Sequence, residues 1–217
     1  MKSIYEEITH VYLRLNGFFI SPNYVVEGER SNEIDILAYR PRGAKEYIEE
    51  HEALPVDNNL FTTIKRILEE STGRTINEYI KETYDIAAIV EVKGKNSQPW
   101  PTNNEERTKR IIRYSLNLFG TCCGEKQVQN LLEKGITIVT HRKNLIILLM
   151  GFRLCNRHLI NYNGKYLEIC IEKALDFIID RIHRFKEFKT TNRVHYPYTT
   201  FQLLILLDKI YNITEKL

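Results

Sequence analysis

Ile86-Ala87-Ala88-Ile89-Val90-Glu91-Val92-Lys93 is an apolar run that turns charged only at its end. The continuous entry Ala87 to Val90 predicts a central strand buried on both faces, running from Ile86 to about Lys95. Side chains alternate along a strand, so Glu91 and Lys93 share one face while Val90 and Val92 take the other. An acid and an amine therefore stand side by side where a buried strand reaches the surface. Taken alone, such a tripeptide is a common solvated strand end.

A second carboxylate changes that reading. In Ser31-Asn32-Glu33-Ile34-Asp35-Ile36-Leu37-Ala38 the alternation predicts another strand, closed by Pro41, with Asp35 flanked by apolar residues. A charge there is costly unless it is paired or binds a metal. Mg²⁺ takes hard oxygen ligands and commonly uses one or two carboxylates together with water and substrate phosphate. If the two strands are neighbours, Asp35 and Glu91 can share that ion. Lys93 then lies beside the phosphate, where an ammonium either stabilises developing charge or helps orient and deprotonate the attacking water.

Around these strands the pattern is α/β. Ile4, Ile8, Val11, Tyr12 and Leu15 recur at helical spacing and predict a helix over 3–16, stopped by Asn16-Gly17. A strand from Phe18 to about Glu27, broken at Pro22, should form a hairpin with the Asp35 strand. Residues 42–83 are the least regular part and read as an insertion, with Leu60, Ile64, Ile67 and Leu68 at helical spacing. A loop over 96–104 holds Trp100, expected to cover the core. Helices over 105–119 and 125–133 lead to strands over 136–140 and 145–152. The C-terminal part, 168–217, is predicted to be helical. It carries one stripe of Ile171, Leu175, Ile178, Ile179, Ile182 and Phe185, and a last helix over 199–211. The whole, 1–217, reads as one domain.

The first helix contributes an acid as well. Glu7 falls beside the apolar stripe and Glu6 nearly opposite, so Glu7 is the candidate to reach the site, although acids are generally favoured at helix N-termini.

A helix carrying an acid, Asn-Gly-Phe-Phe at the entry to a hairpin, Glu-Ile-Asp-Ile in the second strand and Val-Glu-Val-Lys in the third together resemble the PD-(D/E)xK nuclease superfamily. Restriction endonucleases and archaeal Holliday-junction resolvases belong to it. The resemblance spans roughly the first 95 residues and the helix and strand out to about 140. It implies a restriction-endonuclease-like core: a central mixed sheet flanked by helices, in the order helix, three antiparallel strands, helix, strand. It also implies roles. Asp35 and Glu91 match the metal-binding acids and Lys93 the catalytic lysine, with Mg²⁺ as cofactor and Mn²⁺ as substitute. No proline precedes Asp35, unlike the pattern that names the superfamily.

Composition sets the outer bounds. Hydrophobic residues make up 43% and charged ones 27%, which is ordinary for a globular chain. The net charge of +3 permits a nucleic-acid partner without arguing for one, so that case rests on local charge. Arg107, Lys109, Arg110 and Arg113, with Tyr114, make the helix after the site the best candidate for phosphate contacts. A later group, Arg181, Arg184, Lys186, Lys189 and Arg193, reads as a water face. Cys122, Cys123, Cys155 and Cys170 show no paired zinc spacing and require no disulfide. With no signal core and no apolar run long enough for a bilayer, the expectation is a cytoplasmic protein with no membrane partner.

The function these readings favour is a metal-dependent DNA endonuclease, with a homodimer as the natural assembly for cutting two strands. Two alternatives stand beside it. One is a non-cleaving nuclease-fold module for nucleic-acid binding or assembly. The other is an unrelated α/β protein in which the three residues are surface charges. Adjacency of Asp35 and Glu91 discriminates against the last.

Overall fold

Strand β5 (Asp85–Lys93) is the axis of the molecule, buried from Asp85 through Val92 as its apolar run demands. The computed structural model describes residues 3–25, 33–44, 47–49, 52–53, 55–76, 79–95, 97–100, 105–121, 124–139 and 144–184. Within them β5 lies at the centre of a mixed, open seven-stranded sheet flanked by helices. On one side it pairs antiparallel with β2 (Glu33–Arg40), which pairs antiparallel with the edge strand β1 (Phe19–Val25). On the other it pairs parallel with β7 (Leu145–Arg153) along its full length. Two strands share the far edge of β7. Antiparallel β6 (Ile136–Val139) lies along Leu145–Leu148, and parallel β9 (Leu167–Cys170) along Met150–Arg153, followed by β8 (Ile160–Tyr162). Full pairing on both edges explains why β7 is buried almost throughout.

The period-two alternation of β5 and β7 sorts the core into two layers. Ile86, Ala88, Val90, Val92, Ile146, Leu148, Met150 and Phe152 meet α1 (Ile4–Leu15), α2 (Asn58–Thr72) and α6 (Ile171–Arg184). Ala87, Ile89, Ile147 and Leu149 meet α4 (Glu105–Leu118), α5 (Glu125–Lys134) and Trp100. Glu91 and Lys93 are odd-numbered and so belong to the α4 face.

Helix α1 begins where Ser3 accepts a hydrogen bond from Glu6 N at 3.2 Å and ends at Asn16, with Gly17 at φ +84°. Its buried face follows the expected stripe through Ile8, Val11, Tyr12 and Leu15 and departs from it only in the first turn. Ile4 is 45% exposed, while Tyr5 packs on the core in its place.

The insertion is more ordered than its sequence suggests. A short hairpin, β3 (Tyr47–Glu49) and β4 (Glu52–Ala53), precedes α2, and α3 (Ile80–Thr83) follows. Asp57 caps α2 at its start, Gly73 ends it with φ +65°, and Leu60, Ile64, Ile67 and Leu68 are all buried against the sheet. Arg40, 1% exposed, ties the insertion down. Its guanidinium donates to the carbonyls of Asn16 (3.0 Å), Lys81 (2.8 Å) and Ala44 (2.7 Å).

Two further expectations are corrected, and a cysteine pairing that the sequence left open is made. β9 occupies the start of the part expected to be helical, and β8 lies in the stretch before it that had no reading, because runs of three and four residues carry no readable period. Arg181 is not on a water face. It is buried and donates from one Nη to the carbonyls of Leu15 (2.6 Å) and Pro55 (3.0 Å), joining α6 to α1 and the insertion. Cys155 and Cys170 are paired as a disulfide, with their Cα atoms 5.5 Å apart. The buried stripe of α6 centres on Ile171, Ala174, Ile178 and Arg181, with Leu175 and Ile179 half-buried beside it. The expected helix over 199–211, Phe185, the basic residues beyond 184, and Cys122 and Cys123 lie outside the described residues. No helix among those described is long and apolar enough to cross a membrane.

Candidate active site

The β2–β5 ladder closes with Ile36 opposite Val90, so the next position sets Asp35 across from Glu91. Backbone pairing stops there because a side chain replaces it. Asp35 Oδ2 accepts the Val92 N–H at 2.7 Å. Asp35 comes between Ile34, buried in the α4 layer, and Ile36, buried in the α1 layer, and its carboxylate reaches across to β5. Lys93 joins the two acids. Its Nζ donates to Glu91 Oε2 at 2.6 Å and lies 3.7 Å from Asp35 Oδ2. The three residues named from the sequence thus meet in one cluster.

Burial gives the cluster its electrostatics. Glu91 is 1% exposed, whereas the side chains of Asp35 and Lys93 are 23% and 34% exposed. Burial first, and the neighbouring Asp35 charge second, push the Glu91 carboxyl up to about 7, even though Lys93 and Arg107 oppose this. Burial alone would lower Lys93. The charge and hydrogen bond of Glu91, with Asp35 behind them, outweigh it and raise the amine above its ordinary value. Lys93 is therefore an ammonium at neutral pH. Glu91 Oε1 is buried and accepts no hydrogen bond among the described residues. A buried carboxylate oxygen left bare costs about 1–3 kcal/mol or more, which calls for an explanation in terms of what it is there to bind.

The C-terminal ends of the parallel strands β5, β7 and β9 lie together here, the usual place for a ligand crevice in an open α/β sheet. One wall comes from the loop after β5. A Cβ on Gly151, which pairs with Glu91, would stand 2.6 Å from Pro99 Cβ and 2.9 Å from Tyr166 Cε2. Trp100, 2% exposed, donates its Nε1–H to the Met150 carbonyl at 2.8 Å, and Tyr166 donates its hydroxyl to Gln98 Oε1 at 2.8 Å. Trp100 thus covers the core, as expected.

The remaining predicted residues take different positions. Glu7 sits on α1, across the sheet from Glu91, and makes no hydrogen bond or ion pair with the cluster among the described residues. Its Oε2 is buried and unsatisfied. On α4, Arg107 stands close enough for its charge to act on both Glu91 and Lys93. Lys109 is held by Glu105 and Glu106 at 3.0 and 3.1 Å, and Arg113 donates to Glu125 at 2.8 Å. Arg110 is exposed on the same helix.

Gly151, Arg153 and Glu168 were missed. Arg153 pairs with Lys93, and Glu168 pairs with Gly151 in the row of Glu91. A signal for Arg153 existed. It ends the apolar run Leu145–Phe152 as Lys93 ends that of β5. The sulfurs of Cys155 and Cys170 and the Glu168 carboxylate lie within 4.8 Å of one another, a grouping that their sequence spacing does not announce. A cleft of about 410 Å³, bounded by Ser71, Lys126, Asn130, Lys134 and Thr137, lies away from all of these.

Comparison with protein-family models, with curated proteins and with solved structures found no match to this chain.

Proposed function

We propose that this chain is a metal-dependent nuclease of the PD-(D/E)xK type, with a restriction-endonuclease-like core, hydrolysing phosphodiester bonds in DNA. The observation that carries the proposal is the convergence of Asp35, Glu91 and Lys93, with Glu91 Oε1 buried and unsatisfied. The topology supports it in part: α1 and the three antiparallel strands β1, β2 and β5 precede α4, and β7, reached only after α5 and β6, lies parallel to β5. The donor set fits Mg²⁺, or Mn²⁺ in its place, because both candidate ligands are carboxylates and one keeps a bare oxygen. Bound there, the ion would polarise a phosphoryl oxygen and acidify water.

The chain's own residues do the rest. Val92 N–H fixes the orientation of Asp35, and the wall built on Pro99 and Trp100 screens the buried Glu91 from bulk water. Lys93, held as an ammonium by both acids, faces the scissile phosphate and neutralises charge that grows in the transition state. Its raised basicity favours this role over that of a proton acceptor. Arg107 adds a second positive charge from α4. Glu7, across the sheet from Glu91, has no part in these steps, and duplex cleavage calls for two copies of the chain.

The test is a cleavage panel of linear, branched and single-stranded DNA with Mg²⁺ or Mn²⁺, run on the parent and on Lys93→Ala. The parent should cut at least one substrate. Lys93→Ala should lose about 10²-fold or more in rate while keeping most of its DNA affinity, since the interaction removed belongs to the transition state. A Lys93→Ala variant that cuts at the parental rate sinks the assignment. A parent that binds and never cuts leaves the non-cleaving binding or assembly module in its place.

A further inference from the structure

Two acid–cation pairs stand side by side on the α4 face. Across β2, β5, β7 and β9 one row reads Asp35, Glu91, Gly151, Glu168, and the row above it reads Lys93, Arg153, Cys170. Lys93 reaches back to Glu91, and Arg153 Nε donates to Glu168 in the same sense. The carboxylates form the buried layer, with Glu91 and Glu168 side chains 2% and 10% exposed. The cations form the lip, with Lys93 and Arg153 at 34% and 27%.

Glu168 holds Arg153 by its Nε alone. Among the described residues the two terminal nitrogens of Arg153 make no hydrogen bond, so the fork that matches two phosphate oxygens is left open. The Glu168 carboxylate packs beside the disulfide, whose sulfurs have no hydrogen to donate to it. Cys155 Sγ lies 3.6 Å from Glu168 Oε1, and Cys155 is bonded to Cys170, the register partner of Arg153. Lys93 and Arg153 are one strand spacing apart, about 4.8 Å between backbones, at the ends of parallel strands.

We propose that Arg153, oriented by Glu168, binds the phosphate of the nucleic-acid backbone next to the one that Lys93 faces. This rests on the nuclease reading for the identity of the ligand, but its measurement needs no cleavage. Arg153→Ala alone would strand the buried Glu168 charge and risk unfolding, so the variant is Arg153→Gln with Glu168→Gln, a neutral pair that can hydrogen-bond in the same place. Glu168→Gln alone is the control that keeps the cation.

The experiment measures affinity for a fluorescein-labelled 20-nucleotide single-stranded DNA, and for its duplex, over a salt series in EDTA. The double variant should bind roughly tenfold more weakly. Its log–log salt slope should be shallower by about 0.7 for the single strand or 0.9 for the duplex, the loss of one phosphate contact. Glu168→Gln alone should keep the parental slope. Parental affinity and slope in the double variant overturn the proposal, as does an equal loss in Glu168→Gln alone. If the double variant binds weakly and the parent never cuts, the Arg153 site stands and the nuclease reading falls. If the parent cuts and the double variant binds as the parent does, the reverse holds. A parent that binds neither DNA defeats both.

Discussion

Glu91 concentrates the cost of the site in one side chain. It is buried beside another carboxylate, with one oxygen on Lys93 and the other bare. Its carboxyl at about 7 lies above the ordinary 4.5, so the folded chain holds this proton more tightly than the unfolded chain does. The stability gained from the proton is complete below about pH 4.5 and is lost as the pH rises through 7. Glu91→Gln, measured in EDTA by urea unfolding from pH 5 to 8, should therefore lose less stability with rising pH than the parent. The gap should approach roughly 3 kcal/mol, since each tenfold change in proton affinity is worth about 1.4 kcal/mol. Identical pH profiles would show that Glu91 is not held protonated by its surroundings.

β7 matters at the scale of an element because it carries no side chain opposite Glu91. Gly151 lets Pro99 sit where a Cβ would be, and that contact sets the wall of the crevice. The flanking β7 residues Met150 and Phe152 are fully buried, so the strand cannot yield by turning outward. Gly151→Ala should destabilise the fold by about 1–3 kcal/mol, as overpacking does, and should slow cleavage more than it weakens DNA binding. The check is chemical unfolding paired with kcat and KM on the best substrate of the panel. An unchanged unfolding midpoint would mean that Pro99 moves without cost. α4 lies over the same face. Of its four basic residues, Lys109 and Arg113 are engaged by acids of α4 and α5, and the charge of Arg107 is spent on the site.

Over the whole molecule, distant segments are tied together by buried polar links between elements remote in sequence. Arg40 joins the end of α1 to the segment beside α3, Arg181 joins α6 to α1 and the insertion, and the disulfide joins the end of β7 to the start of α6. Cys155 and Cys170 close a loop of sequence separation 15, for which chain entropy suggests about 3 kcal/mol of stabilisation. Protein purified without reductant should show these two thiols blocked to alkylation. Adding dithiothreitol should lower its unfolding midpoint by an amount near that figure, and Cys155→Ser with Cys170→Ser should do the same. Two free thiols in the unreduced protein would refute the pairing.

The central strand, the helical stripes of α1 and α2, and the trio Asp35, Glu91 and Lys93 were legible in the sequence. Each rests on a local period: two residues for strands, 3.6 for helices, and a charge placed against that period. The sequence alone also determined that Glu91 and Lys93 share a face, since alternation requires it. Only the tertiary structure decided that Asp35 stands opposite Glu91, because register across 56 residues of chain, from Asp35 to Glu91, depends on how the insertion folds back. It alone set Glu7 on the far face, buried Arg181, paired the cysteines and brought Arg153 beside Lys93. None of these follows from spacing along the chain. Each depends on which strands lie next to one another, and that is settled by long-range packing of two apolar layers rather than by any local pattern.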